Sequence, residues 1–259
     1  MFIVAISNEK GGVAKTTTTL SLGAALAETG KKVLLVDLDA QANLDLALGM
    51  DATASKKTVA SVLMENFPIQ NGIQKTIITN LDILPSSHDM GMAERYLPLQ
   101  PEHETILKRA LATVADDYDL VLLDCPPFLG AVTFNALVAA NLLLIPTQAE
   151  YFSIYALRNL MGWIRRIRDQ YNPDLMYRML LTMFDRRNRT HRMLSEQLRQ
   201  NFSTGVMETV ISIDTKLRES PLVGLPILMH APRSRAAEQY RALAQEILVY
   251  VKETNLQPA

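Results

Sequence analysis

One run near the start of the chain constrains its fold more than any other: Phe2-Ile-Val-Ala-Ile6, then Ser-Asn-Glu-Lys10-Gly11-Gly12-Val13-Ala14-Lys15-Thr16-Thr17. An apolar stretch that breaks into a glycine pair, then Lys-Thr and a helix-patterned segment, predicts a strand, a tight loop and a helix N-terminus. The backbone N–H groups of such a loop converge with the helix dipole on a site for phosphate. Lys15 adds positive charge at the β- and γ-phosphates, and the Thr16 hydroxyl is a ligand for Mg2+. The plain alternative is a glycine-rich turn with a surface lysine. The strand before and the helix after argue against it.

The general phosphate-loop pattern asks for glycine at two positions where this chain has Glu9 and Ala14, while a second lysine, Lys10, opens the glycine pair. This resembles the deviant Walker A loop of the ParA/MinD family of P-loop ATPases, usually Lys-Gly-Gly-x-Gly-Lys-Thr-Thr. The resemblance implies that Lys10, Gly11, Gly12, Val13, Ala14, Lys15, Thr16 and Thr17 hold ATP. It also implies that Lys10 reaches across a dimer interface to the partner's nucleotide. Ala14 still offers its N–H where the family has glycine; a negative φ suits it and a positive φ strains it.

At 259 residues, 48% of them hydrophobic, the chain can bury a sizeable core. With almost no Gly/Ser-rich linker and no internal repeat, the reading is one domain over residues 1–259. No apolar run approaches the ~18 residues of a membrane span, and no basic-then-apolar leader precedes the first strand. The single cysteine, Cys125, excludes an internal disulfide and suits a reducing cytoplasm. The four histidines show no ligand spacing, so a metal site of protein ligands alone is not expected. The charge is split: 10 basic and 17 acidic residues in 1–150 give −7, and 16 and 10 in 151–259 give +6. Such a split predicts a nucleotide-handling half and a half that meets something anionic.

In chain order, Thr16–Glu28 reads as a helix closed by Gly30, and Lys32–Asp37 as a strand buried on both faces. That strand runs into Asp37-Leu-Asp39-Ala-Gln41-Ala-Asn43, and carboxylates at a strand's carboxyl end sit where α/β sheets place ligands. Lys56-Lys57 with Thr58–Leu63 suggests a short helix, Pro68–Gly72 a loop, Leu81–Ser87 a strand entering a loop, and His103–Val114 an amphipathic helix. Leu120–Asp124 is a strand ending in an acid before Cys125-Pro-Pro, where a Walker B acid meets a Mg2+-bound water. Cys125 itself reads as a small buried hydrophobe. Ala131–Ala140 is helical and Asn141–Thr147 a strand. Tyr155–Gln170 carries Leu157, Leu160, Met161, Ile164 and Ile167 on one stripe, with Arg158, Arg165, Arg166 and Arg168 largely off it. Met179–Phe184 is a strand entering the densest basic segment, Asp185–Arg192, which taken alone could be a solvated loop.

The resemblance continues through these segments. Asp37–Asn43 is similar to the family's Asp-x-Asp-Pro-Gln-Gly-Asn, with Ala40 and Ala42 in place of Pro and Gly. It implies that Asp39 positions the attacking water and Asp37 supports the magnesium shell. Asp124-Cys-Pro-Pro resembles the family's Asp-x-Pro-Pro, with Asp124 acting on Mg2+ through water. Thr182–Arg189 resembles Thr-Met-x-Asp-x-Arg-x-Asn through the Arg position, and there Arg187 stands where the family binds DNA non-specifically. Val210–Pro221 keeps the basic character of its family segment with Lys216 and Arg218. Arg233 and Arg235 open a final helix expected from about Ala231 to Val251.

The fold implied is a doubly wound, mostly parallel α/β sheet flanked by helices. The function implied is a slow ATPase using ATP and Mg2+, with Lys10, Lys15 and Asp39 as its catalytic set. ATP joins two protomers face to face, and the homodimer binds DNA through Arg187, Lys216, Arg218, Arg233 and Arg235. A ParB-like or other adaptor stimulates hydrolysis, and the output is positioning of DNA or another cargo over the nucleoid, in the cytoplasm and away from membrane. A MinD-like membrane-attached ATPase is the alternative, and the C-terminal residues make a poor membrane helix. An iron-protein-like electron carrier would need two cluster cysteines per protomer. A small-molecule ligase on this scaffold would have no use for the arginine-rich half.

Overall fold

The expected strands form where the apolar runs stand. A computed structural model describes residues 1–51 and 57–256, with side chains described for all of these except 151–158 and 254–256. The strands are β1 (Phe2–Ile6), β2 (Val33–Asp37), β3 (Gln74–Lys75), β4 (Leu81–Leu84), β5 (Leu120–Asp124), β6 (Leu142–Gln148), β7 (Met176–Phe184) and β8 (Val206–Ser212). They make one sheet in the order β3-β4-β2-β5-β1-β6-β7-β8, in which only the β3–β4 pair is antiparallel. The helices are α1 (Lys15–Glu28), α2 (Asn43–Ala47), α3 (Val59–Glu65), α4 (Met90–Tyr96), α5 (Ile106–Ala112), α6 (Ala131–Ala139), α7 (Tyr151–Gln170), α8 (Arg189–Phe202), α9 (Lys216–Glu219), α10 (Ile227–His230) and α11 (Arg235–Leu256).

Both faces of the sheet are covered, and the pleat divides each strand between two cores. Ile3, Ala5, Leu34, Val36, Val121 and Leu123 pack with residues of α3 to α8. Phe2, Val4, Ile6, Val33, Leu35, Leu120 and Leu122 pack with α1, α2, α10 and α11. This two-sided burial is why the strands read as continuous apolar runs. Helix α1 lies tight on the sheet at Gly23, where a Cβ would fall 2.7 Å from Leu35 Cδ2 and 3.3 Å from Leu81 Cδ1. Outside it, Arg241 Nε and Nη2 donate to the two Glu28 oxygens at 2.7 and 3.0 Å, and inside it the Thr18 and Tyr240 hydroxyls meet at 3.3 Å.

Several boundaries differ from the sequence reading. The segment from His103 begins as a tight turn over His103–Thr105 before α5, because the Thr105 hydroxyl bonds back to the Glu102 carbonyl. Helix α11 starts at Arg235, not Ala231, since Ser234 caps it by accepting the Ala237 N–H at 3.2 Å. On α7, Leu160, Ile164 and Ile167 are buried as the stripe predicts, while the side chains of Leu157 and Arg158 lie outside the described residues. Lys56 also lies outside them; the short helix expected beside it forms as α3. Pro68–Gly72, read as a loop, carries a single tight turn.

Candidate active site

The carboxyl ends of β1, β2, β5, β6 and β7 lie along one edge of the sheet, so the residues that follow them are neighbours. The glycine loop after β1 is held by side chains from this edge. Asn8 donates to the Pro146 carbonyl at 2.8 Å, the Thr182 hydroxyl to the Val13 carbonyl at 3.1 Å, and Gln148 Nε2 to the Gly12 carbonyl at 3.3 Å. Gly12 has φ +71°, which glycine adopts freely. Ala14 has φ 68° and ψ 36°, the left-handed conformation that strains an alanine, and α1 begins at the next residue.

Lys15 is buried, and its ammonium donates to the Asn8 carbonyl at 3.2 Å. Burial pulls its pKa below the usual lysine range, against the opposing pull of the Asp124 charge. Asp124 is also buried. Its Oδ1 accepts the Thr19 hydroxyl at 3.1 Å, and Oδ2 has no partner among the described residues. Burial raises the Asp124 carboxyl to about 7, although the hydroxyls of Thr16 and Thr19 and the Lys15 charge favour ionisation. Register places Asp37 beside it on β2. Asp37 is wholly buried, its oxygens accept the N–H groups of Asp39 (2.9 Å) and Leu44 (3.1 Å), and burial next to Asp124 and Asp45 holds its pKa well above the carboxylate range. Asp39, two residues on, is half-buried on a turn.

A cavity of about 570 Å³ is lined by Gly11, Gly12, Ala14, Lys15, Thr16, Thr17, Asp39 and Gln41, with Leu20, Leu46, Ala47 and Pro221 among its other walls. Its polar end is the glycine loop and its apolar walls suit a planar base. Val13 does not line it; that side chain is buried beneath the loop. Lys10 stands beside it, folded against its own chain: Nζ lies 2.9 Å from Gln148 Oε1 and 2.5 Å from Glu150 Oε2. The residues present fit a magnesium nucleotide. Space is open around both glycines, Lys15 ends in the loop, and Asp124 keeps a buried oxygen with no partner among the described residues that a cation would neutralise.

The second-half arginines divide. Arg186, Arg187 and Arg235 line a groove of about 450 Å³ with Phe184, Asp185, Ser212 and Ile213. Arg187 is 92% exposed and faces Asp185 in a forked pair at 3.2 and 3.3 Å. Lys216, Arg218 and Arg233 are exposed outside that groove, with Lys216 paired to Glu219 at 2.7 Å. Asp214 holds this region together by accepting the N–H groups of Lys216 and Ala236. Met183 lines the nucleotide-sized cavity, and the next four residues line the arginine groove.

Sequence reasoning assigned nothing to Gln148, Glu150, Met183, Asp45, Ser86 or Glu94. Glu94 accepts the N–H groups of Ala131 and Val132 and so caps α6 behind the Asp124 loop. Gln148 and Glu150, the two residues that hold Lys10, stand at the end of β6 and just beyond it, where no local spacing marks them.

Comparison with known proteins agrees with this geometry. A family model described as an AAA domain matches residues 1–177. The chain is 41% identical over 246 residues to the sporulation initiation inhibitor protein Soj of Bacillus subtilis, covering 95% of this chain and 97% of that one. It is 38% identical over 247 residues to the chromosome partitioning protein ParA of Myxococcus xanthus, covering 95% and 87%. Among solved structures it is similar to a protein from Mycobacterium smegmatis described as cobyrinic acid a,c-diamide synthase with bound ADP and magnesium. The TM-score is 0.86 at 32% identity, over 100% of this chain and 98% of that one.

Proposed function

The chain belongs to the ParA/MinD family of P-loop ATPases, and from that premise we propose that it is an ATP-switched DNA-binding ATPase that positions a cargo. ATP and Mg2+ are its cofactors. Relatives of this family partition chromosomes, and the M. smegmatis neighbour is described with magnesium and ADP. Bound Mg2+ offsets phosphate charge and acts as a Lewis acid. The chain's own residues do the rest. Loop N–H groups from Gly11 to Thr17 and the Lys15 ammonium hold the phosphates, the Thr16 hydroxyl ligates the metal, and Asp124 acts on it through water with Asp37 behind. Asp39 orients the attacking water. Lys10, released from Glu150, meets the phosphates of a second protomer in an ATP-dependent homodimer.

The observation that carries this reading is the adjacency of the two cavities: Met183 walls one, and Phe184 to Arg187 wall the other. Occupancy of the first is thus one residue away from the shape of the second. Arginines at such a groove take phosphate without reading bases, so binding is sequence-independent and falls steeply with salt. One protomer's contacts are weak, on the order of 10⁻⁴ M, and a rigid dimer raises the effective concentration of the second set. An adaptor protein stimulates hydrolysis and ends the bound state, and the protein works in the cytoplasm on the nucleoid. No helix among the described residues is long and apolar enough to cross a membrane.

The test is retention of plasmid DNA with a non-hydrolysable ATP analogue. Arg187→Glu is expected to abolish retention while ATP-dependent dimerisation persists. DNA binding like the parent's at low salt would refute the role of the groove and favour a membrane or protein partner.

A further inference from the structure

The Asp39 turn is held in place by two buried residues that stand well outside the phosphate-facing set. Asp39 has both of its peptide groups pinned. Its N–H donates to Asp37 Oδ1 at 2.9 Å, and its carbonyl accepts the Ser86 hydroxyl at 2.7 Å and the Ala42 N–H at 3.0 Å. Ser86 follows β4 on a different crossover, is fully buried, and has its own N–H held at 3.1 Å by Asp45 Oδ2. Asp45 is itself fully buried on α2, with Oδ1 unpartnered among the described residues.

The turn needs such a brace. Ala42 closes it at φ 49° and ψ 37°, a left-handed conformation that an alanine leaves readily. Hydrogen bonds from outside must therefore fix what the local sequence disfavours. The Ser86 hydroxyl is the bond that reaches the turn from another element, and Asp45 fixes the residue that supplies it. A buried carboxylate with one idle oxygen is costly to keep, and among the described residues its other oxygen is held by the Ser86 N–H of this brace.

We propose that Ser86 and Asp45 are positioning residues for hydrolysis, bracing the Asp39 turn against the strain at Ala42. The inference rests on the reading of Asp39 as the residue that orients water. Ser86 does not line the 570 Å³ cavity, so its loss acts through Asp39 geometry and not through nucleotide affinity. Misplacement of such a group by even a fraction of its bond length lowers turnover while leaving binding alone.

The experiment measures basal phosphate release and binding of Mg2+ with a fluorescent ATP analogue in the full chain. Ser86→Ala is expected to lower kcat roughly tenfold with KM for ATP within about twofold. Ala42→Gly placed on top of Ser86→Ala removes the strain and is expected to restore kcat to within about threefold of the parent. A merely structural loss would not be rescued by a second change on a different element. Ser86→Cys, which fills the same space with a weaker donor, provides the comparison should Ser86→Ala fail to bind nucleotide. Parental turnover in both Ser86 variants, or a double variant as slow as Ser86→Ala, overturns the brace. Asp39→Ala run alongside separates the two readings: if it hydrolyses at the parental rate the role of Asp39 falls, and if it is slow while the Ser86 variants are not, only the brace falls.

Discussion

Ala14→Gly is expected to make the nucleotide-free protein more stable. Alanine in the left-handed region costs about 1–2 kcal/mol, and Ala14 sits there at φ 68°. Glycine removes that cost but loses more freedom on folding, about 0.5–1 kcal/mol relative to alanine. The difference leaves a gain of about 0.5–1 kcal/mol, or ~1–2 °C in Tm for a chain of this size. Gly12→Ala is the mirror experiment. Gly12 has φ +71°, and a Cβ there would meet nothing within 4 Å, so the substitution tests the backbone alone. It should destabilise by about 1 kcal/mol, through the same conformational cost. Urea denaturation in EDTA without nucleotide reads both, because bound ligand would add its own stabilisation to the folded state. The midpoints should move in opposite directions at constant slope. A lower midpoint for Ala14→Gly, or a shift of the same sign for both, would refute the assignment of strain to this loop.

Asp39→Ala is expected to bind ATP and dimerise but turn over very slowly, whereas Lys15→Ala loses nucleotide binding; phosphate release beside a binding titration distinguishes them. Lys10→Ala should spare nucleotide binding by the monomer and weaken the ATP-dependent dimer, read by sedimentation with a non-hydrolysable analogue, and an undiminished dimer would count against a role in trans. Asp45→Asn should stabilise the metal-free protein in a pH-dependent way. Burial raises the Asp45 carboxyl to about 6 from an ordinary carboxylate value near 4, so the parent loses stability on this account as pH rises from ~4 to ~6 and no further above. The advantage of the variant in urea denaturation should therefore be larger at pH 7.5 than at pH 4.5; an advantage independent of pH would show that Asp45 is not ionising inside the fold.

The sheet and the phosphate loop were legible because their causes are local. β1, β2 and β5 are apolar runs that end in Asp or in a glycine pair, and a parallel sheet buried on both faces leaves that trace. Helix α8 was less visible. The arginines of Asp185–Arg192 dominate the reading there, yet Asn188 caps the helix by accepting the Thr190 and His191 N–H groups, and Leu194 and Leu198 mark its buried face. An asparagine before apolar residues at helical spacing was the signal. The contacts that hold Lys10 were not legible by spacing, since Gln148 and Glu150 lie about 140 residues away and meet it only through the β1–β6 pairing. Neither was Ser86, whose hydroxyl reaches Asp39 across 47 positions of chain.

The remaining failures of local reasoning fall in one place. Among the described residues, the non-glycine positions with positive φ are Ala14, Ala42, Asn66, Asn80, Glu102, Met183 and Ser203. Asparagine tolerates that conformation, and a single polar residue can hold it in a turn. The apolar ones are different, since the two alanines have no side-chain bond to offer in return and Met183 has only its sulfur. Ala14 and Met183 line the 570 Å³ cavity, and Ala42 lies between two residues, Gln41 and Asn43, that also line it. Each is clamped from elsewhere: Ala14 through the preceding Val13 carbonyl, which accepts the Thr182 hydroxyl at 3.1 Å, Ala42 through Asp39, whose carbonyl accepts the Ser86 hydroxyl, and Met183 by Gln148 Nε2 at 2.9 Å from its sulfur. Backbone that its own residues disfavour persists only where surrounding bonds over-determine it. Three such residues around one cavity, on β7, before α1 and before α2, mean that the geometry of that cavity is imposed by tertiary contacts. It follows that the cavity should be the part of this fold most sensitive to loss of a single distant hydrogen bond.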